Sequence, residues 1–261
     1  MDPVYRPVVQ VVVAAYALKG WRLEVTGGEH VPEDGPAIIA SNHIGYIDFT
    51  VSGYAVRRST RRNRLVRYAA KKEVFDHPVS GPLMRGMRHI PVDRGGPTEA
   101  TIQESVARLR AGELIGMFPE ATISRSFVPL PGKTGTARMA QLAQAPIVPT
   151  AIWGSQRIWT KGRPRDFSAG GLLTVDFGAP MTVAPDDDIT EATAELMDRI
   201  SALVDTAQRR YPVRPAPGEE WWLPAHLGGT APTPEEAAAQ AAAEAEARRR
   251  RRAAERGDAT D

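Results

Sequence analysis

The chain contains no cysteine. That excludes a disulfide framework, thiolate metal sites and cysteine-nucleophile chemistry. No G-x-S-x-G elbow is present, so a serine esterase of that type is not indicated. No P-loop and no G-x-G-x-x-G occur, which removes the usual phosphate-cradling signals for nucleotide cofactors. His30, His43, His77, His89 and His226 show no short ligand spacing such as H-E-x-x-H, and no metal site is expected. No segment reaches the roughly 18–20 consecutive apolar residues that span a bilayer. Charge of one sign is also missing as a bulk property. The 33 basic and 31 acidic residues leave +2, so any electrostatic role must come from local clustering.

What remains is ordinary globular composition, 42% hydrophobic and 25% charged over 261 residues. It suits one large domain with appendages and enough length to bury a core. Trp21 to Thr26 alternates as a strand and ends at Gly27-Gly28. Ala37 to Ala40, Leu65 to Ala70, His89 to Val92, Leu114 to Phe118, Ile147 to Trp153 and Leu172 to Phe177 read as further strands. Helices are expected from near His43, capped by Ser41 or Asn42, and over 97–111, 133–144 and 189–210. The alternation predicts an α/β fold, a central mostly buried mixed sheet flanked by helices. Past Tyr211, prolines 212, 215, 217, 224, 232 and 234 break regular structure. Thr233-Pro234-Glu235-Glu236 is a capping box opening an alanine-rich run that ends in Arg248 to Arg252. The expected division is 1–20 as an N-terminal membrane-contact helix, 21–212 as the chemical domain and 213–261 as a low-complexity tail.

The apolar stretch from Val8 to Leu18 is interrupted by Gln10 and flanked by Arg6, Lys19 and Arg22. A signal peptide fits it poorly, because Asp2 offsets Arg6 and basic residues follow the run directly. Two readings stay open. One is a helix packed on its own domain. The other is an interfacial helix with Tyr5, Tyr16 and Trp21 near lipid headgroups.

The chemistry-bearing segment is Asn42-His43-Ile44-Gly45-Tyr46-Ile47-Asp48. A histidine and a carboxylate five residues apart at a strand-to-helix turn can meet if the first turn is irregular. The carboxylate then fixes the ring tautomer and stabilises the imidazolium, which is what a general base requires. Alone, the spacing is equally compatible with a capping asparagine, a half-buried histidine and a solvated aspartate. Three later segments narrow the choice. They are Met87-Arg88-His89-Ile90-Pro91-Val92-Asp93-Arg94, Phe118-Pro119-Glu120-Ala121-Thr122-Ile123-Ser124-Arg125 and Ala145-Pro146-Ile147-Val148-Pro149-Thr150.

In order and spacing, the four segments resemble the glycerolipid acyltransferase family across about residues 20–180, and His43 to Asp48 fits that family's Asn-His-x-x-x-x-Asp without a gap. The resemblance implies transfer of an acyl group from acyl-coenzyme A, or from acyl carrier protein, to the hydroxyl of a lysophospholipid. Lysophosphatidic acid is the favoured acceptor, and phosphatidic acid the product. It implies His43 as the base, Asp48 as its holder, and Arg94 on the acceptor phosphate. Backbone N–H groups of Glu120, Ala121 and Thr122 are expected to face the oxyanion. Family members carry Glu-Gly-Thr-Arg where this chain has Glu120, Ala121, Thr122 and Ile123. Alanine keeps the backbone donor provided the turn needs no positive φ. Arg125 and Lys133 are the nearby cations that stand in for the absent arginine. No cofactor is implied, since coenzyme A would be a substrate carrier.

Two basic clusters complete the reading. One is Arg57, Arg58, Arg61, Arg62, Arg64 and Arg67, followed by Lys71 and Lys72; the other is Arg157, Lys161, Arg163 and Arg165 beside Trp153 and Trp159. An anionic membrane surface is the expected partner, which places the chain peripherally or monotopically on the cytoplasmic face. Coenzyme A phosphates or an acidic carrier protein would use the same charge. Nucleic acid is not expected, because no nucleic-acid motif accompanies the charge. Two rivals share the scaffold: acyl transfer to another lysolipid or a glycolipid, and lipid binding without catalysis.

Overall fold

A computed structural model describes residues 3–78, 80–92, 99–167 and 171–257. They fall into two compact units, Met1–Ile123 with Pro129–Val213, and Ser124–Val128 with Arg214–Asp261.

The first unit is built on seven strands: β1 (Arg22–Thr26), β2 (Ala37–Ser41), β3 (Val66–Lys71), β4 (Ile90–Val92), β5 (Leu114–Met117), β6 (Ile147–Trp153) and β7 (Leu172–Phe177). Their order across the sheet is β1-β7-β6-β2-β5-β3-β4. Neighbours run parallel except β6 and β7, which are antiparallel, so the sheet is mixed. β2, β5, β6 and β7 are buried at every position, as continuous apolar strands covered on both faces must be. Edge strand β1 instead alternates between exposed and covered positions.

Helices α1 (Tyr5–Leu18), α2 (Asp48–Ser59), α3 (Lys72–Asp76), α4 (Ser80–Gly86), α5 (Glu99–Arg110), α6 (Gly135–Ala143) and α7 (Ile189–Arg210) complete this unit. α2 packs on strands β1, β3, β6 and β7, and α7 packs on β6 and β7. Leu196, Ile200 and Val204 of α7 are buried, and the Asp188 side chain caps its start by accepting from the N–H groups of Thr190 and Glu191. The short helices α3 and α4 were not expected, since neither is long enough to show a full helical period. The first residues of the helix expected from Pro97 lie outside the described residues, and α5 is described from Glu99.

Of the two readings open for helix α1, its tyrosines fit the packed one: Tyr5 and Tyr16 are buried. The Tyr5 hydroxyl donates to Val66 O at 2.6 Å, and the Tyr16 hydroxyl pairs with Thr50 Oγ1 at 2.6 Å. Both rings have a polar partner inside the body, which is what lets a tyrosine be buried. The large apolar side chains that α1 leaves exposed are Val11, at 69%, and Leu18, at 87%.

The second unit carries helix α8 (Pro234–Gly257). Its capping box forms reciprocally. Thr233 N–H donates to Glu236 Oε2 at 2.9 Å, and Glu236 N–H donates to Thr233 Oγ1 at 3.3 Å.

Candidate active site

β2 lies between β5 and β6, and the three run parallel. Their carboxyl ends therefore open on one edge of the sheet, where open α/β sheets place their ligands. Each end releases a polar segment: 42–47 after β2, 118–123 after β5 and 154–160 after β6.

The first segment does not start as a helix. α2 begins at Asp48, not near His43. The physical reason lies in Asn42, whose side chain is not a cap. Its Nδ2 donates to Ile152 O at 3.0 Å and its Oδ1 accepts from Ile152 N–H at 2.7 Å. The amide imitates one more peptide of β2 and continues the ladder with β6 while the main chain turns away. The turn brings His43 to Asp48, with Nδ1 to Oδ2 at 2.9 Å. The Asp48 carboxylate is fully buried, whereas the His43 side chain is 21% exposed. The same Oδ2 accepts from the N–H groups of Ile44 and Gly45, each at 2.8 Å. A carboxylate only accepts, so the Nδ1 proton points at Asp48 and the Nε2 lone pair is left for chemistry. The His43 ring stacks on Phe118 at 4.2 Å between centroids, which fixes its plane.

Glu120 binds the second segment to the first. Its Oε1 accepts from His43 N–H at 2.8 Å and its Oε2 from Leu130 N–H at 3.0 Å. Burial pushes its carboxyl up to about 8, against the pull of those two donors. Ala121 sits at φ +56°, so the turn does need the left-handed conformation that glycine adopts freely. The Ala121 N–H donates to Phe118 O at 2.9 Å, which commits it to closing the turn. That corrects the expectation that it faces an oxyanion. Thr122 is exposed, and Ile123 is buried. Lys133 is exposed at its side chain, and its N–H donates to Pro119 O at 2.9 Å, tying the start of the next helix to the Glu120 turn. Arg125 belongs to the second unit, where it pairs with Glu244 and donates to Gln240 Oε1 at 3.2 Å. Arg94 lies outside the described residues.

The third segment supplies residues that the sequence reading passed over. Ser155 Oγ donates to Asp48 Oδ1 at 2.5 Å, and Thr160 Oγ1 donates to Ile44 O at 2.6 Å. Tyr46 N–H donates to Trp159 O at 2.9 Å. The available signal was Gly154-Ser155, a glycine and a hydroxyl where a core strand leaves the sheet.

Comparison with known proteins shows the family of the chain. A family model described as Acyltransferase matches residues 22–153, just over half of the chain. The chain belongs to the acyltransferase family. A 1-acyl-sn-glycerol-3-phosphate acyltransferase of Bacillus subtilis (strain 168) is 30% identical over 158 residues, 59% of this chain and 76% of the relative. A protein of the same name from Limnanthes douglasii is 35% identical over 147 residues, 55% of this chain and 49% of the relative. The crystal structure of the 1-acyl-sn-glycerophosphate (LPA) acyltransferase PlsC from Thermotoga maritima shares the fold, with a TM-score of 0.65 over 80% of this chain and 81% of that one, at 19% identity. The chain is thus an acyltransferase enzyme on an α/β sheet.

Part of the first basic cluster is absorbed into this acyltransferase fold, while Arg58, Arg61, Arg62 and Lys72 stay exposed. Arg67 is buried, with its guanidinium over the Tyr5 ring and Nη1 donating to Met87 O at 2.9 Å. Arg64 donates to the carbonyls of Pro32, Gly35 and Gly112, and Arg62 pairs with Asp34. In the second cluster, Arg163 and Arg165 are exposed, with Arg165 over the Phe167 ring. Among the described residues, no three His, Asp or Glu side chains are arranged to hold a metal ion, and no helix is long and apolar enough to cross a membrane.

Proposed function

We propose that the chain transfers an acyl group from acyl-coenzyme A or acyl carrier protein to the free hydroxyl of 1-acylglycerol 3-phosphate, giving phosphatidic acid in phospholipid synthesis. The observation that carries the mechanism is the contact of a part-exposed His43 with a fully buried Asp48. His43 Nε2 takes the acceptor hydroxyl proton as the alkoxide oxygen attacks the thioester carbonyl. The tetrahedral intermediate then collapses, the C–S bond breaks, and the imidazolium returns its proton to the leaving thiolate. No protein nucleophile is needed, in keeping with a chain that has no cysteine. A positioned base of this kind contributes typically about 10²–10⁴ in rate. Asp48 holds the tautomer, and Glu120 holds the His43 main chain. Arg94 and Lys133 are the cations offered to the acceptor phosphate, with Arg125 drawn toward Glu244.

The proposed place of work is an anionic membrane surface on the cytoplasmic face, and two features support the surface. Val11 and Leu18 present apolar groups on α1. A run of ring contacts, Trp21 to Phe167 to Trp159 to Tyr46, links the end of α1 to the catalytic segment, with Arg165 on Phe167. Amphipathic rings beside cations suit a headgroup layer.

A second acceptor class is favoured by one observation. Ile123 is buried where the family pattern has arginine, and Arg125 is already paired. Another lysolipid or a glycolipid would need less phosphate charge. The test is thiol release from long-chain acyl-coenzyme A and from acyl carrier protein, with and without lysophosphatidic acid, alongside His43→Ala. Acceptor-dependent release that falls at least about 100-fold in a folded mutant is the expected result. Release with a different lysolipid alone moves the acceptor assignment. Silence with every acceptor and both donors overturns the reading in favour of lipid binding without turnover.

A further inference from the structure

We infer that Ser155 is a positioning residue for the catalytic pair, acting through the Asp48 carboxylate. The inference rests on the reading of His43 as the base. It deepens that reading by naming what fixes the base's partner.

The argument is an accounting of one carboxylate. Oδ2 accepts from His43 Nδ1, Ile44 N–H and Gly45 N–H, all from its own loop. Oδ1 accepts from Ser155 Oγ at 2.5 Å, across 107 residues of sequence. The three donors on Oδ2 come from the loop that the carboxylate itself organises, so they move with it. Ser155 is the donor on the other oxygen, and it anchors the carboxylate to the segment that leaves β6. The hydroxyl also satisfies an oxygen that is fully buried, where an unmet acceptor is costly.

The surroundings explain why Ser155 can do this. Gly154, just before it, lies at φ +99°, and a Cβ there would stand 2.3 Å from Leu172 O. Only glycine permits the turn that swings the serine from the end of β6 toward Asp48. On the other side, a Cβ on Gly45 would meet Trp159 O at 3.0 Å, Ser155 Oγ at 3.1 Å and Asp48 Oδ1 at 3.2 Å. The catalytic loop and the 155–160 segment therefore touch without a side chain between them. Trp159 O and Thr160 Oγ1 hold Tyr46 N–H and Ile44 O from the same segment. Ser155 is the contact that reaches the chemistry; the other two hold the loop's backbone.

The experiment compares Ser155→Ala, Ser155→Thr and Ser155→Val in the full chain. Thr and Val add the same bulk and differ in the hydroxyl. We expect Ser155→Ala and Ser155→Val to lower kcat roughly 10- to 100-fold, the worth of a hydrogen bond to a charged group, with KM for donor and acceptor within about twofold. Ser155→Thr should recover most of the loss relative to Ser155→Val. A readout without substrate accompanies the kinetics: the downfield proton NMR signal of the His43 Nδ1 proton bonded to Asp48. It should shift or broaden in Ser155→Ala and Ser155→Val, and stay near its wild-type position in Ser155→Thr. Equal losses in Thr and Val, or an unmoved signal in Ser155→Ala, would overturn the proposal. If wild type acylates no acceptor at all, the functional reading fails while the NMR comparison still judges Ser155.

Discussion

The segments that follow β2 and β5 leave neighbouring strand ends and are built in opposite ways. In the 42–48 segment, each buried polar side chain at the site has a named partner of good geometry. Asn42 pairs with both backbone groups of Ile152, and Asp48 accepts four hydrogen bonds. In the 118–123 segment, a carboxyl is buried against its own charge, an alanine stands in a left-handed conformation, and an isoleucine fills the place of a cation. The first segment has the satisfaction expected of a site that must hold a reacting geometry. The second keeps the contact that supports His43 and lacks the glycine and the arginine of the family pattern. On the proposed function, catalytic positioning and acceptor recognition then sit on different loops, and one can change while the other stays.

The sharpest way to break that comparison is Asn42→Ala. It leaves Ile152 N–H and O buried with nothing to replace the amide. At about 1–3 kcal/mol for each abandoned buried group, it should cost several kcal/mol of stability. Urea unfolding of the two proteins measures this directly. Activity should fall with it, because His43 follows Asn42 in the chain. A loss under about 1 kcal/mol would mean that water or a relaxed backbone replaces the pairing.

Asn42 also shows where the sequence stops being legible. Strands β2, β6 and β7 and helix α7 lie where apolar runs and spacing put them, because burial is written in residue type. The approach of His43 to Asp48 could be anticipated from a five-residue offset at a strand end. The start of α2 could not. Asparagine is a good helix cap in isolation, and only a strand 110 residues later supplies the competing partner that wins. Ser155 was invisible for the same reason, since a hydroxyl has no periodic pattern and its partner is 107 residues away. Arg64 and Arg67 read as surface charge because carbonyl partners leave no mark in the sequence.

A smaller effect separates the loops by pH. Glu120 ionises near 8 in the folded chain, above the ordinary 4.5. The native state thus holds a proton that the unfolded state has released. The associated stability is fully present below about pH 4.5 and is lost as pH rises through the folded value. His89, held down to about 4 by burial and by Arg67 and Arg108, does not confuse the alkaline half of this window. Both its folded and its ordinary values lie below pH 7. Between pH 7 and 8, stability should fall by up to about 1.4 kcal/mol per pH unit and then level off. Glu120→Gln should remove this slope. It should also cost about 1–3 kcal/mol, because an amide offers one acceptor to the two N–H groups of His43 and Leu130. Parallel pH slopes in the two proteins would show that Glu120 is not the titrating group.

The smallest change expected is Ala121→Gly, and its sign is the informative part. A left-handed non-glycine residue costs roughly 1–2 kcal/mol, while glycine gives back part of that through the freedom of the unfolded chain. The net should be a gain of about 0.5 kcal/mol, read as a small rise in the urea midpoint with an unchanged slope. The N–H to Phe118 O bond survives the substitution, so thiol release with the preferred acceptor should stay within about twofold. A stabilised protein with unchanged turnover would show that Ala121 is a tolerated strain and takes no part in acceptor choice. A more stable protein that turns over lysophosphatidic acid tenfold faster would show the reverse. The turn's freedom to move, and not the missing arginine at Ile123, would then set what this acyltransferase accepts.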